Sequence, residues 1–311
     1  MSYQGPRNHQ FLYHAYALAL GGWVKGKDQN IVPIQSVAPS VLSITGGFGS
    51  ATQSDLNIGV RQKYAFGDGG PSDFHIYVGH AYTEVRGVED EEDNPFGVYR
   101  TTVRSVLDDV RINDVFSVEH AEAILMSVHE KPDVNNNSPE GVVTVGESNM
   151  SGVRVLGKRA RLTKRDYIDR EPTYGLLQAQ VQERFSELAT AGKGGVGDSW
   201  LDDLCDWHDP AAVPADIGDY AHDVATINQR SARSQSLLRY SLFKSVDLPD
   251  TPGVKTFKSS IDVEGFGRIF LGEVFASHGM KQVSMFRIDL GCDNCGGVGG
   301  SGGSTNGGPT P

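Results

Sequence analysis

The sequence predicts a mainly β fold of layered antiparallel sheets, sandwich-like or solenoid-like, with one helical insertion. Three observations carry this. Apolar residues alternate with period two over 11–20 and 74–86, which is the period of a strand. The 38 glycines recur as doublets between alternating segments, well above the roughly 7% of average usage. Helical spacing of three and four is sustained only after Asp169.

The elements follow in order. Over 11–20, Leu12, His14, Tyr16, Leu18 and Leu20 share one face, and Phe11, Tyr13, Ala15, Ala17 and Ala19 share the other. Both faces are apolar, which predicts a central strand covered on both sides, with the alanines permitting close approach of another layer. A short strand at 41–44 is closed by a turn at Gly46-Gly47-Phe48-Gly49-Ser50, and a third strand is expected over 55–64. Phe74, Ile76, Val78, His80 and Tyr82 mark a long strand, and the alternation reads His14 and His80 as core histidines. His14-Ala15-Tyr16 before Gly21 and His80-Ala81-Tyr82 before Gly87 form a weak internal echo. A second echo links 111–120 with 268–278. Residues 119–128 fit both periods and are assigned to strand; alternation returns over 141–162.

The texture changes at Asp169. Tyr174, Leu177, Val181, Phe185 and Leu188 fall on one helical stripe behind Thr173 as N-cap, and 199–208 offers a shorter helix. Strand patterning resumes from Leu238 to Leu290. The chain thus divides into a β domain (1–168), a helical insertion with loops (169–234), returning strands that complete the core (235–292) and a glycine-rich tail (293–311). The tail has no core-forming residue after Val298 and reads as a flexible segment, mobile in a monomer and ordered only along a neighbour.

Charge and length narrow the function classes. A net charge of -11 disfavours nucleic acid as the main partner, since phosphate binding needs an excess of Lys and Arg. No apolar run approaches the roughly 20 residues of a membrane span. The polar N-terminus lacks an apolar signal region, so a cytoplasmic location is expected, with a surface location reached only by a non-classical export route. Three cysteines, Cys205, Cys292 and Cys295, cannot complete a disulfide framework.

Several segments together resemble uncharacterised bacterial proteins related to the choice-of-anchor P domains. They are Tyr13-His14-Ala15-Tyr16-Ala17-Leu18-Ala19, the turn at 46–50, the strands of 106–128, the run Met285-Phe286-Arg287-Ile288-Asp289-Leu290-Gly291-Cys292, and Thr305-Asn306-Gly307-Gly308. The resemblance implies a β-rich structural or binding module and carries over no catalytic residue.

The most specific chemical pattern pairs Cys205 and His208 with Cys292 and Cys295, each pair at two-residue spacing, a set able to supply a Cys3His tetrahedron for structural zinc. The simpler reading packs Cys205 in the insertion, lets His208 cap it and leaves the second pair loose before the tail. A redox dithiol would need a helix after Cys295, where Gly296-Gly297 stands instead. The acidic run 89–94 lacks the spacing of a calcium loop and reads as a solvated turn. The basic residues Lys158, Arg159, Arg161, Lys164 and Arg165 have no interleaved aromatics and read as decoration of an exposed strand.

Three functions fit these observations. The first is a non-catalytic structural or self-assembling bacterial β protein whose partner is itself, as a homo-oligomer or filament. The second is a β-sandwich module binding carbohydrate or protein through Tyr99, Trp200 and Trp207. The third is a hydrolase using His208 and Asp209.

Overall fold

The structure, a computed structural model, describes residues 11–25, 31–61, 73–90, 97–130, 141–145, 147–164, 175, 176, 179, 238–277, 280–290 and 296–309. It is mainly β, built as two antiparallel sheets that do not close into a barrel and lie face to face as sandwich-like layers. Of the predicted helical insertion, residues 175, 176 and 179 are described and are helical.

The strands in chain order are β1 (Phe11–Lys25), β2 (Ile31–Val37), β3 (Ser40–Val41), β4 (Gly47–Arg61), β5 (Asp73–Asp90), β6 (Val98–Ile112) and β7 (Phe116–Glu130). Five short strands follow: β8 (Val142–Thr144), β9 (Asn149–Ser151), β10 (Arg154–Val155), β11 (Lys158–Arg159) and β12 (Arg161–Lys164). The C-terminal set is β13 (Leu238–Ser241), β14 (Phe243–Asp247), β15 (Val254–Phe257), β16 (Ser260–Val263), β17 (Gly267–Ser277), β18 (Met280–Leu290) and β19 (Gly296–Pro309). One sheet runs β15-β16-β17-β18-β19-β1-β2, with β13 beside β17 and β3 beside β1. The other runs β11-β10-β7-β6-β5-β4, with β8 and β9 beside β7, and β12 pairs β14 separately.

The expected tail is instead a strand at the centre of the first sheet. β19 pairs β1 from Phe11↔Pro309 to Val24↔Gly296 and pairs β18 on its other side. Glycine has low strand propensity, but pairing on both edges satisfies the backbone of the whole segment, and its missing side chains are what the site requires. A Cβ on Gly300 would lie 2.1 Å from the Phe286 ring, and one on Gly303 would lie 2.4 Å from Val103 of the opposite sheet.

The turn expected at 46–50 is corrected in the same way. Residues from Gly47 onward pair β5, Gly47 with Gly87 and Ser50 with Glu84, so β4 begins where a turn was expected. β1 is interior within its sheet but covered on one face only. Its alanine face is buried, whereas Leu12 and Tyr16 of the opposite face are 37% and 36% exposed and His14 is exposed.

Small residues line the centre of the seam between the sheets. Ala15, Ala17, Ala19, Ser301 and Thr305 from one side face Thr101, Ser105, Ala121, Ala123 and Ser127 from the other, all buried. Cα atoms of β19 accordingly come within 8 Å of those of β6 and β7, closer than the ~10 Å usual for stacked sheets. Larger side chains fill the flanks, with Phe116 and Phe286 meeting across the seam at 5.2 Å.

Both sheets also reverse their facing along one transverse row. In β5, β6 and β7 the pairs Gly79 and His80, Asp108 and Asp109, and Glu119 and His120 all stay out of the core, and buried alternation resumes in the opposite phase. In the first sheet the reversal brings two neighbours inward, Ala19 with Leu20 and Met285 with Phe286. Because every strand reverses at the same level, pairing stays in register: Ser54↔His80, His80↔Asp108 and Asp108↔His120. Positive φ marks the row at Asp55 (53°), Asp109 (49°), Gly272 (63°) and Ser301 (47°).

Candidate functional site

The reversal row places the chemistry-bearing side chains of the second sheet on its outer face. Ser54, His80, Asp108 and His120 stand side by side on β4, β5, β6 and β7. Ser54 Oγ is 3.1 Å from His80 Nδ1, and His120 Nδ1 is 2.6 Å from Asp108 Oδ1. A carboxylate oxygen accepts, so His120 Nδ1 carries the proton, while its Nε2 faces Glu122 at 3.7 Å. Glu122 in turn accepts from Arg104 Nε at 2.6 Å, and this contact raises the Arg104 pKa. Arg104 also lies over the Tyr82 ring, whose hydroxyl donates to Glu84 at 2.6 Å. That hydrogen bond is the main cause that raises the Tyr82 pKa.

This row is not a hydrolytic triad. A triad needs the serine on one imidazole nitrogen and the acid on the other nitrogen of the same ring. Here Asp108 is held by His120, and Ser54 sits on His80. The charged groups meet one another as cross-strand pairs, which register and lock the sheet.

The histidine assignment is corrected by the same geometry. His14 is exposed and His80 half-exposed, because the alanine of each His-Ala-Tyr triplet takes the inward position. The first echo therefore has a structural meaning: β1 and β5 present Ala15 and Ala81 to the core in opposite sheets. The second does not, since 111–120 spans the β6–β7 hairpin while the described part of its counterpart, 268–277, lies along the single strand β17.

The buried histidine among the described residues is His129, which no motif singled out. It sits in an aromatic cluster at the end of the seam, where Phe11 stacks on Tyr99 at 4.4 Å, Tyr13 meets Phe11 edge-on at 4.9 Å and the His129 ring lies 5.0 Å from Phe11. Burial lowers the His129 pKa, and its Nε2 has no hydrogen-bond partner among the described residues. Burial, helped by Glu89 and Tyr99, pushes the Tyr13 hydroxyl up to about 12. Tyr99, expected as an exposed binding aromatic, is part of this cluster, with one ring face covered by Phe11.

Hydroxyls join the two sheets. Ser301 Oγ shares its one proton between the carbonyls of Ser105 (2.8 Å) and Ala121 (3.0 Å), and Ser105 Oγ donates back to Leu18 O at 3.2 Å. Ser127 and Thr305 hydroxyls meet at 2.9 Å. Thr83 donates to Ala38 O, so the Ser40 hydroxyl, 2.7 Å away, donates to Thr83.

Cys205, His208, Cys292 and Cys295, and likewise Trp200, Trp207 and Asp209, lie outside the described residues. Among the described residues no group of three His, Cys, Asp or Glu side chains is placed to hold a metal ion, and no helix is long and apolar enough to cross a membrane.

The sheet edges differ from one another. β4 is 15 residues long and, among the described residues, pairs only with β5. Near its start the side chains of Val41, Ile44 and Phe48 are 74%, 60% and 64% exposed. Comparison with curated proteins and with solved structures returned no match, and nothing links the chain to choice-of-anchor P domains. Residues 11–277 match the family described as a domain of unknown function, DUF8256, and the chain belongs to that family.

Proposed function

We propose that the protein is a non-catalytic structural β-sandwich that assembles with itself. The observation that carries this reading is β4, a long strand whose outer backbone edge is open among the described residues and which begins beside exposed Val41, Ile44 and Phe48. A row of unpaired N–H and C=O groups is a template for another strand, and apolar side chains beside it add burial on contact. The outer-face groups His120, Asp108, Glu122 and Arg104 bind one another, which suits a rigid lattice better than a reactive centre. Sedimentation velocity across a hundredfold range of protein concentration tests the reading: a mass that rises with concentration to a defined assembly supports it, and a monomer throughout overturns it.

A further inference from the structure

We propose that the contact is a closed two-fold dimer in which the segment Gly47–Ser54 of β4 pairs antiparallel with the same segment of a second copy, so that the second sheets of two molecules become one. This rests on the reading of the protein as self-assembling and specifies where and how it assembles.

The choice of edge comes from how the outermost strands of the two main sheets are guarded. β2 carries Pro33, whose nitrogen cannot donate to an added strand. β15 has four residues, too few for a stable pairing of its own. β11 has two, Lys158 and Arg159, both exposed and both cationic. β4 has none of these protections in its first half. Gly47-Phe48-Gly49-Ser50-Ala51-Thr52-Gln53-Ser54 contains no charge and no proline, and the break in its facing comes only at Asp55, where φ is 53°. After Gly47, whose φ is 106°, the seven uncharged residues Phe48–Ser54 carry no positive φ, and such a segment at an open edge pairs with its own kind.

The occupant follows from the same comparison. If two different edges of the molecule were open, copies would add head to tail and the assembly would grow as a filament. Among the described residues β4 is the one long edge strand without such protection, and that edge meets its counterpart on another copy. Antiparallel pairing of a strand with itself generates a two-fold axis, which closes the assembly at two. The net charge of -11 opposes non-specific association, and an uncharged segment is where two such molecules approach at least electrostatic cost. Phe48, on the outer face near one end of the segment, supplies apolar surface on each side of the axis.

The test is equilibrium sedimentation of the full chain and of the double variant Ser50→Lys/Thr52→Lys, with circular dichroism and Tm recorded for both. Ser50 and Thr52 are exposed, so the substitutions remove one hydrogen bond, from Thr52 Oγ1 to Ala81 O at 3.1 Å, and leave the core packing in place. They set four lysines around the axis, and like charges juxtaposed there weaken pairing by about a hundredfold or more in dissociation constant. A wild-type dimer, a monomeric variant with unchanged Tm, and slower amide exchange over 47–54 at high wild-type concentration support the proposal. A variant that dimerises as well as wild type overturns the choice of edge and leaves self-assembly standing. Growth of wild type beyond two copies overturns the closed dimer. A wild-type monomer at every concentration overturns this proposal together with the reading on which it rests.

Discussion

Ser301 shows how much one residue can hold. It is buried, it adopts φ of 47°, and its hydroxyl shares one proton between two carbonyls of the opposite sheet. Ser301→Ala keeps the strained backbone and removes the only side-chain donor at that point, so urea unfolding should show a loss of about 1–3 kcal/mol. His129 adds a pH dependence. Its folded pKa lies below the unfolded value because burial disfavours the imidazolium. The neutral ring is therefore at full stabilising effect above the unfolded pKa of about 6.5, and stability falls as pH drops below that value toward the folded pKa. Thermal melts should show Tm declining below about pH 6.5, and His129→Phe, which keeps the ring contact with Phe11, should flatten that decline. Neither residue was legible in the sequence. Ser301 stands among glycines that look like linker, and His129 alternates no differently from the outward-facing His75 and His80.

At the scale of elements, the strands with strong alternation were readable: β1 and β5 coincide with period-two segments, and β7 bears out the strand assignment of 119–128, which fitted both periods. The facing of their polar residues was not, because the transverse reversal changes the phase within each strand, and a period read across it assigns His80 to the wrong side. β19 was misread for a different reason. Composition reports how many side chains a segment can bury, whereas β19 is held by partners on both edges and has no room for a Cβ at Gly300 or Gly303. Gly303→Val should therefore destabilise the fold by about 1–3 kcal/mol in denaturant titrations, since the added atoms meet Val103 and the Tyr16 carbonyl. The site followed the same pattern. His120 was noticed as an echoed position, and Glu122 follows two residues on along β7, but Asp108 and Arg104 of β6 join them only through cross-strand register.

For the whole molecule, the decisive fact is that the first sheet is assembled from both ends of the described chain. β1 and β19 pair along their lengths, and β19 also contributes to the seam with the second sheet through Ser301, Gly303 and Thr305. Truncation after Cys295 removes the strand between β1 and β18 and leaves two long edges where one interior strand had been. Loss of the cooperative unfolding transition is expected, measured by calorimetry on the truncated and full chains; a truncated chain that melts like the full one would show that β19 is dispensable.

Pairing Phe11 with Pro309 also sets a clock on biosynthesis. At roughly 5–20 residues per second, β1 waits on the order of tens of seconds after leaving the ribosome before its partner is made. Throughout that interval β1 can pair with β2 and β3 on one side, while its other edge stays open, the kind of exposed edge that chaperones shield. The first sheet is thus completed late, and the protein's yield in a cell depends on how well the unfinished sheet is protected until β19 is made.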